Sequence, residues 1–161
     1  MTHAFTATMN LADELLGIVD ALDAAGIHYA VCGGLAVAIH GHARMTKDID
    51  VLIRREDLDR VREVLKGRGF VLEAGSIHFA RGTSEQREVF RTSKPDGDDL
   101  LTVDLLIAGP ALAEVYASRV LVAWRDRRMQ VVSRAGLAKM KRLAGREQDL
   151  LDLKELGLDG E

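Results

Sequence analysis

The stretch that decides the fold runs from Cys32 to Ile53 and reads CGGLAVAIHGHARMTKDIDVLI. A short apolar run, Tyr29-Ala30-Val31-Cys32, leads into the glycine pair Gly33-Gly34. A small-residue segment, Leu35 to Ile39, follows, then a polar turn with Arg44 and Thr46, and last Asp48-Ile49-Asp50 running into Val51-Leu52-Ile53. The pattern predicts strand, helix, turn, strand. Alternation along the second strand puts Asp48 and Asp50 on one face and Ile49, Val51 and Ile53 on the other. The apolar face can enter a core. The other face then carries two carboxylates about 7 Å apart along the strand. Two like charges about 4 Å apart at an effective dielectric of about 20 repel by roughly 4 kcal/mol, so a shared cation is the natural remedy. Hard oxygen ligands of this kind suit magnesium, which takes one or two carboxylates and fills its shell with substrate phosphates. A glycine pair opening a helix offers backbone N–H groups and a positive dipole end to those same phosphates.

A third carboxylate sharpens the reading. Leu100 to Ile107 reads LLTVDLLI, a strand-like run with one charge inside it, Asp104. An aspartate in such a run is rarely buried without a partner or a metal. If this strand lies beside the Asp48–Asp50 strand, three carboxylates meet, enough for two metal ions bridged by a shared ligand. An EF-hand is excluded, because the position where its loop needs glycine is Ile53 and no glutamate stands at the twelfth place. Neither a P-loop nor G-x-G-x-x-G occurs.

Gly33-Gly34, then R-x-T-x-D-x-D at Arg44, Thr46, Asp48 and Asp50, then the isolated Asp104, together resemble the nucleotidyltransferase superfamily related to DNA polymerase β. Gly-Gly in place of Gly-Ser, with Arg44 and Thr46 ahead of the acidic pair, is similar to its AbiEii-type branch of abortive-infection and toxin–antitoxin nucleotidyltransferases. A further match lies near the C-terminus, where Lys141 to Asp152 follows the branch's K-x-x-A-G-R-x-x-D-x-x-D segment. The resemblance implies a nucleotidyltransferase fold: a mixed α/β (α+β) sheet flanked by helices, with a C-terminal helix pair. It implies two magnesium ions, with manganese as the alternative, held by Asp48, Asp50 and Asp104, and a nucleoside triphosphate as co-substrate. Gly33, Gly34, Arg44, Thr46 and Arg146 would surround the nucleotide. Lys141 would contact the triphosphate, with Asp149 in a substrate-positioning role. The acceptor stays open between RNA, particularly a tRNA end, and a small hydroxylated molecule of antibiotic type. A silent module binding nucleotide or a partner such as an antitoxin is the non-catalytic alternative.

Length and composition agree with one compact domain over residues 1–161. A 47% hydrophobic and 29% charged fraction is ordinary for a globular chain. No segment approaches the roughly 20 apolar residues that span a bilayer. The start, MTHAFTATMN, has neither the basic nor the apolar region of a signal peptide, so the cytoplasm is the expected compartment. One cysteine excludes an internal disulfide and a cysteine-rich zinc site. Periodicity predicts a helix from Leu11 to Ala25 capped by Asn10, and another from Glu56 to Lys66. Short strands FVLEA, IHFAR and REVFR follow, and Lys94 to Asp98 reads as a loop. A short helix, Ala111 to Ala117, opens after Gly109-Pro110. A hairpin crosses Arg125 to Arg128, and helices over 134–144 and 146–156 close the chain. The basic run through Arg125, Arg127, Arg128, Arg134, Lys139, Lys141, Arg142 and Arg146 is a candidate surface for triphosphate and an anionic acceptor. His40 and His42, in the turn before the carboxylates, are not required for magnesium chemistry.

Overall fold

The computed structural model describes residues 2–43 and 45–159, with side chains described from Leu11 onward. The predicted pattern is present as strand β1 (Ala30–Cys32), helix α2 (Gly33–Ile39) and strand β2 (Asp48–Ile53), preceded by helix α1 (Thr2–Ala24). A 3-10 turn (Arg55–Asp57) then leads to α3 (Leu58–Gly67), β3 (Leu72–Phe79), β4 (Arg87–Asp96) and β5 (Asp99–Ile107). The chain continues through α4 (Ala113–Ala117), β6 (Val120–Trp124), β7 (Arg127–Val131), α5 (Arg134–Ala144) and α6 (Glu147–Glu155).

Seven strands form one mixed sheet in the order β3-β4-β5-β2-β1-β7-β6. The decisive pair is parallel: β2 lies beside β5, in a register that sets Asp50 opposite Asp104 and Ile53 opposite Ile107. β1 runs antiparallel to β2 and parallel to β7. β2 from Val51 to Ile53 and β5 from Val103 to Leu105 are buried, as expected when helices cover a sheet. Leu15, Ile18 and Leu22 of α1 are sealed in the core, as are Val61 and Leu65 of α3. Their three- and four-residue spacing is what gives each helix one apolar face. α1 packs on α3 and β2, while α2 packs on β2 and α5. Among the described residues no helix is long and apolar enough to cross a membrane.

Four local expectations are corrected. α1 begins at Thr2 rather than after a cap at Asn10, because Thr2 to Met9 contains no proline or glycine to stop it. β3 is one strand through Gly75-Ser76, and absorbs the glycine as a bulge between Glu73 and Gly75. Lys94 to Asp98 is not a loop: β4 and β5 form a tight hairpin with Asp96 opposite Asp99. Pro95 is tolerated in β4 because β3 pairs only as far as Ser93, so on that side no neighbouring strand needs its missing N–H. The helix after Pro110 starts at Ala113, two residues later than the proline rule places it.

Candidate active site

Parallel register builds the site. Residues opposite one another on paired strands share a face, so Cys32, Asp50, Asp104 and Arg91 stand in one row across β1, β2, β5 and β4. Asp48 belongs to the next row, opposite Thr102. Asp48 and Asp50 are partly buried, and Asp104 is 7% exposed. Burial and the charges of Asp104 and Asp48 push the Asp50 carboxyl up to about 7. Burial and Asp104 raise Asp48 as well. Such shifts are expected of carboxylates that are buried and gathered beside one another.

Gly33 supports Asp50 in a way only glycine can. It adopts φ +67°, and a Cβ built there would stand 1.9 Å from Asp50 Oδ2. An L side chain is thus excluded both by backbone conformation and by the carboxylate. Gly34 is buried in the first turn of α2. Thr46 Oγ1 donates to the Asp48 carbonyl at 3.5 Å. Arg44 lies outside the described residues.

Arg91 escaped the sequence reading. Its Nε donates to Asp104 Oδ1 at 2.8 Å and its Nη2 to Oδ2 at 2.9 Å, a two-pronged pair. Both Asp104 oxygens are engaged, and among the described residues no group of three carboxylate, imidazole or thiolate residues stands arranged to hold a metal. The donor chemistry nevertheless fits a hard divalent cation: Asp50 faces Asp104, and both raised carboxyls would be relieved by positive charge. The signal that would have found Arg91 is alternation in β4, where Arg87, Val89 and Arg91 share a face. Assigning that face to the carboxylates required the β4–β5 register.

Lys141 lines the same cavity but is itself 4% exposed, its Nζ 3.3 Å from Asp149 Oδ1 and 2.9 Å from Asp152 Oδ2. Asp149 also accepts from the Arg146 backbone N–H at 3.1 Å and from Arg146 Nε at 2.7 Å. Although burial opposes it, the hydrogen bond from Arg146 and the charges of Lys141 and Arg146 hold Asp149 below its usual range. The segment 141–152 thus has a structural logic. Gly145 ends α5 in the left-handed conformation at φ +62°, Asp149 caps α6, and Lys141 ties the two helices together. The cation most open to a ligand here is Arg146, whose side chain is 75% exposed.

The basic run does not form one face. Arg127 pairs with Asp20, Arg134 donates to the Leu156 carbonyl, and Arg142 to the Leu158 carbonyl. Because β7 runs parallel to β1, the β6–β7 turn at Arg125-Asp126 lies towards the start of β1, away from the carboxylates at its other end. His40 Nε2 bonds the Val132 carbonyl at 2.8 Å, a structural tie.

The carboxylates open into a cavity of about 650 Å³. On the β1 side it is bounded by Gly33, Gly34, Lys141 and Arg146. On the β4 side the next row of the sheet, Leu106, Val89 and Ile77, continues as an apolar wall with Phe79 and Arg87 beyond. Ile77 and Phe79 remain 39% and 43% exposed. Large apolar side chains left open beside charged groups are expected of a ligand surface.

The seven-stranded mixed sheet flanked by helices is the fold of the nucleotidyltransferase structures that it resembles. Solved structures agree on the fold. A protein from Thermotoga maritima assigned as a nucleotidyltransferase superposes with TM-score 0.63 at 15% identity, over 89% of this chain and 90% of that one. The lincosamide antibiotic adenylyltransferase LnuA, with lincomycin bound, gives 0.57 at 18% identity over 91% and 96%. ANT(2″)-Ia, in complex with adenylyl-2″-tobramycin, gives 0.58 at 13% over 92% and 87%. No curated protein matches in sequence. The model of a family described as an uncharacterised nucleotidyltransferase matches residues 2–138. The chain belongs to that family and is a nucleotidyltransferase enzyme.

Proposed function

We propose that this enzyme moves a nucleoside monophosphate from a nucleoside triphosphate to a hydroxyl acceptor with the help of magnesium, and that the acceptor is the end of an RNA strand. The observation that carries the metal-dependent transfer is the row Asp50–Asp104, with Asp48 beside it, facing a cavity with cations on one side and an apolar wall on the other. Asp48, Asp50 and Asp104 would hold the metal, which supplies charge neutralisation for phosphates and lowers the pKa of a bound hydroxyl. The chain's own groups do the rest. The α2 start at Gly33-Gly34 and the Arg146 guanidinium face the side where a triphosphate would lie. Asp149 positions Arg146, and Lys141 adds positive charge from beneath, lowering the raised Asp50 carboxyl. In-line attack of the acceptor oxygen on the α-phosphorus forms the new P–O bond as the bond to pyrophosphate breaks, so the acceptor lies opposite the departing pyrophosphate. That places the acceptor against β4 and β3, where Asp104 can take the proton of its hydroxyl.

The wall speaks to the acceptor. Its apolar row suits a flat ring, and its charges are Arg87 and Arg91, while Glu88 of β4 is bound to Arg55 and Ser76. A nucleoside with its phosphate matches this surface, and a polycation does not. The AbiEii-like motifs point the same way, towards a toxin–antitoxin or phage-defence setting. A second reading rests on size: a cavity of about 650 Å³ with an apolar lining also fits a compact hydroxylated small molecule.

The test is transfer of label from each α-labelled nucleoside triphosphate, with magnesium, to total tRNA, lincomycin or tobramycin, using the Asp48→Ala, Asp50→Ala double variant as control. Label on tRNA that the variant fails to transfer supports the RNA reading. Label on lincomycin alone moves the acceptor to the small-molecule class. Triphosphate turnover unaffected by the double variant would sink the carboxylate mechanism.

A further inference from the structure

The engagement of Asp104 by Arg91 is a disagreement inside the site: the carboxylate best placed to face Asp50 already spends both oxygens on a guanidinium. Burial gives the reason. Asp104 is 7% exposed, and the Arg91 guanidinium is the one cation among the described residues bonded to it. A buried carboxylate beside two others would be severely unfavourable without such a partner. Arg91, by contrast, is anchored only by that pair among its described hydrogen bonds, and 43% of its side chain is exposed to the cavity. Its hydrogen-bonding head can therefore leave Asp104 without breaking other described bonds.

We propose that Arg91 is a resident counter-cation: it occupies Asp104 until a divalent cation takes its place, and the displaced guanidinium then turns into the cavity. The proposal rests on the metal-dependent reading above. It explains why three carboxylates converge and yet form no ready metal cluster. A metal ion and a guanidinium are alternative answers to the same surplus of negative charge, and Asp104 cannot give the same lone pairs to both. The exchange is charge-compensated, since a positive group always faces Asp104. Once free, Arg91 lies between Asp104 and the Val89–Ile77 wall, where it can hold an oxyanion of the transferring phosphate or of the acceptor.

The experiment is titration of the full chain with Mn²⁺, followed by calorimetry and thermal melting, for wild type, Arg91→Gln, Arg91→Lys and Asp104→Asn. If Arg91 competes with metal, Arg91→Gln melts lower than wild type in EDTA, binds Mn²⁺ at least about tenfold more tightly, and gains more stability from it. Arg91→Lys, which keeps the charge but loses the two-pronged grip, falls between them. Should Arg91→Gln fail to fold, wild type suffices. The salt-bridged Arg91 Nε–H gives a ¹⁵N resonance in EDTA, assigned by its loss in Arg91→Lys, and this signal should shift or vanish as Mg²⁺ is added. Unchanged or weakened Mn²⁺ affinity in Arg91→Gln, or an Nε–H signal indifferent to Mg²⁺ that does bind, overturns the counter-cation role. Absence of any Mn²⁺ binding in wild type and Arg91→Gln alike, with Asp104→Asn no different, overturns the metal reading itself.

Discussion

Two ionic clusters lie within one cavity wall of each other and are built on opposite principles. In the helix-pair cluster, Lys141 and Arg146 face Asp149 and Asp152, so charge is balanced across the described ion pairs. Along the sheet, Asp48, Asp50 and Asp104 have Arg91 as their one ion-pair partner among the described residues, and burial together with the charges of Asp104 and Asp48 pushes the Asp50 carboxyl up to about 7. The balanced cluster holds two helices together. The unbalanced one is held in place by the sheet's hydrogen-bond lattice and keeps an unmet demand for positive charge. Charge balance, more than the identity of the residues, sets the two clusters apart.

The comparison can be broken by substitution. The largest effect is expected from the Asp48→Ala, Asp50→Ala double variant: transfer should fall by at least about 10³-fold, with the fold intact by circular dichroism. Next is Lys141→Met, which leaves Asp149 and Asp152 buried with less positive charge. A loss of about 3–5 kcal/mol is expected by urea denaturation, the range for breaking one side of a buried pair. If Lys141→Met keeps full stability and loses only triphosphate affinity, the cluster is a ligand site rather than a clamp. Gly33→Ala comes third, at about 1–3 kcal/mol for the forced left-handed backbone, together with loss of metal binding as Asp50 is displaced. The smallest is a gain. Asp50 is protonated more readily folded than unfolded, so metal-free protein should lose stability as pH rises from about 4 to about 7, then level off. Asp50→Asn removes that loss, and should melt higher than wild type at pH 8 in EDTA, with little difference at pH 4. Equal melting temperatures at pH 8 would mean that the row is not electrostatically strained.

How far the sequence reaches differs between the same two clusters. Asp48 and Asp50 were legible because a period-two pattern assigns them a face within one strand, and Asp104 because a lone charge in LLTVDLLI needs a reason. Arg91 was not legible, since its meaning depends on which residue of β5 it meets, a long-range register that no local pattern states. Lys141, Arg146 and Asp149 were visible as a spaced motif, yet the spacing did not say that Asp149 caps α6 while bonding both cations. The basic run misled for a related reason. Consecutive charges in sequence part company when a hairpin and two helices turn them towards Asp20, the Leu156 carbonyl and the interior. Elements with strong periodicity, α3 and the β2 and β5 strands, were readable. The continuity of β3 and the tight β4–β5 hairpin were not, because Gly75 and Pro95 are tolerated by a bulge and by the limited reach of β3.

β3 is an edge strand paired with β4, and it bears Ile77 and Phe79 of the apolar wall. The carboxylates instead ride on β2 and β5 at the centre, where hydrogen exchange should require unfolding of the whole domain. Side chains on the hairpin can therefore change one at a time without disturbing the Asp50–Asp104 row at the centre of the sheet. Under the function proposed above, acceptor contacts and transfer chemistry sit on separately mutable parts, which lets one stable centre be tried against many acceptors.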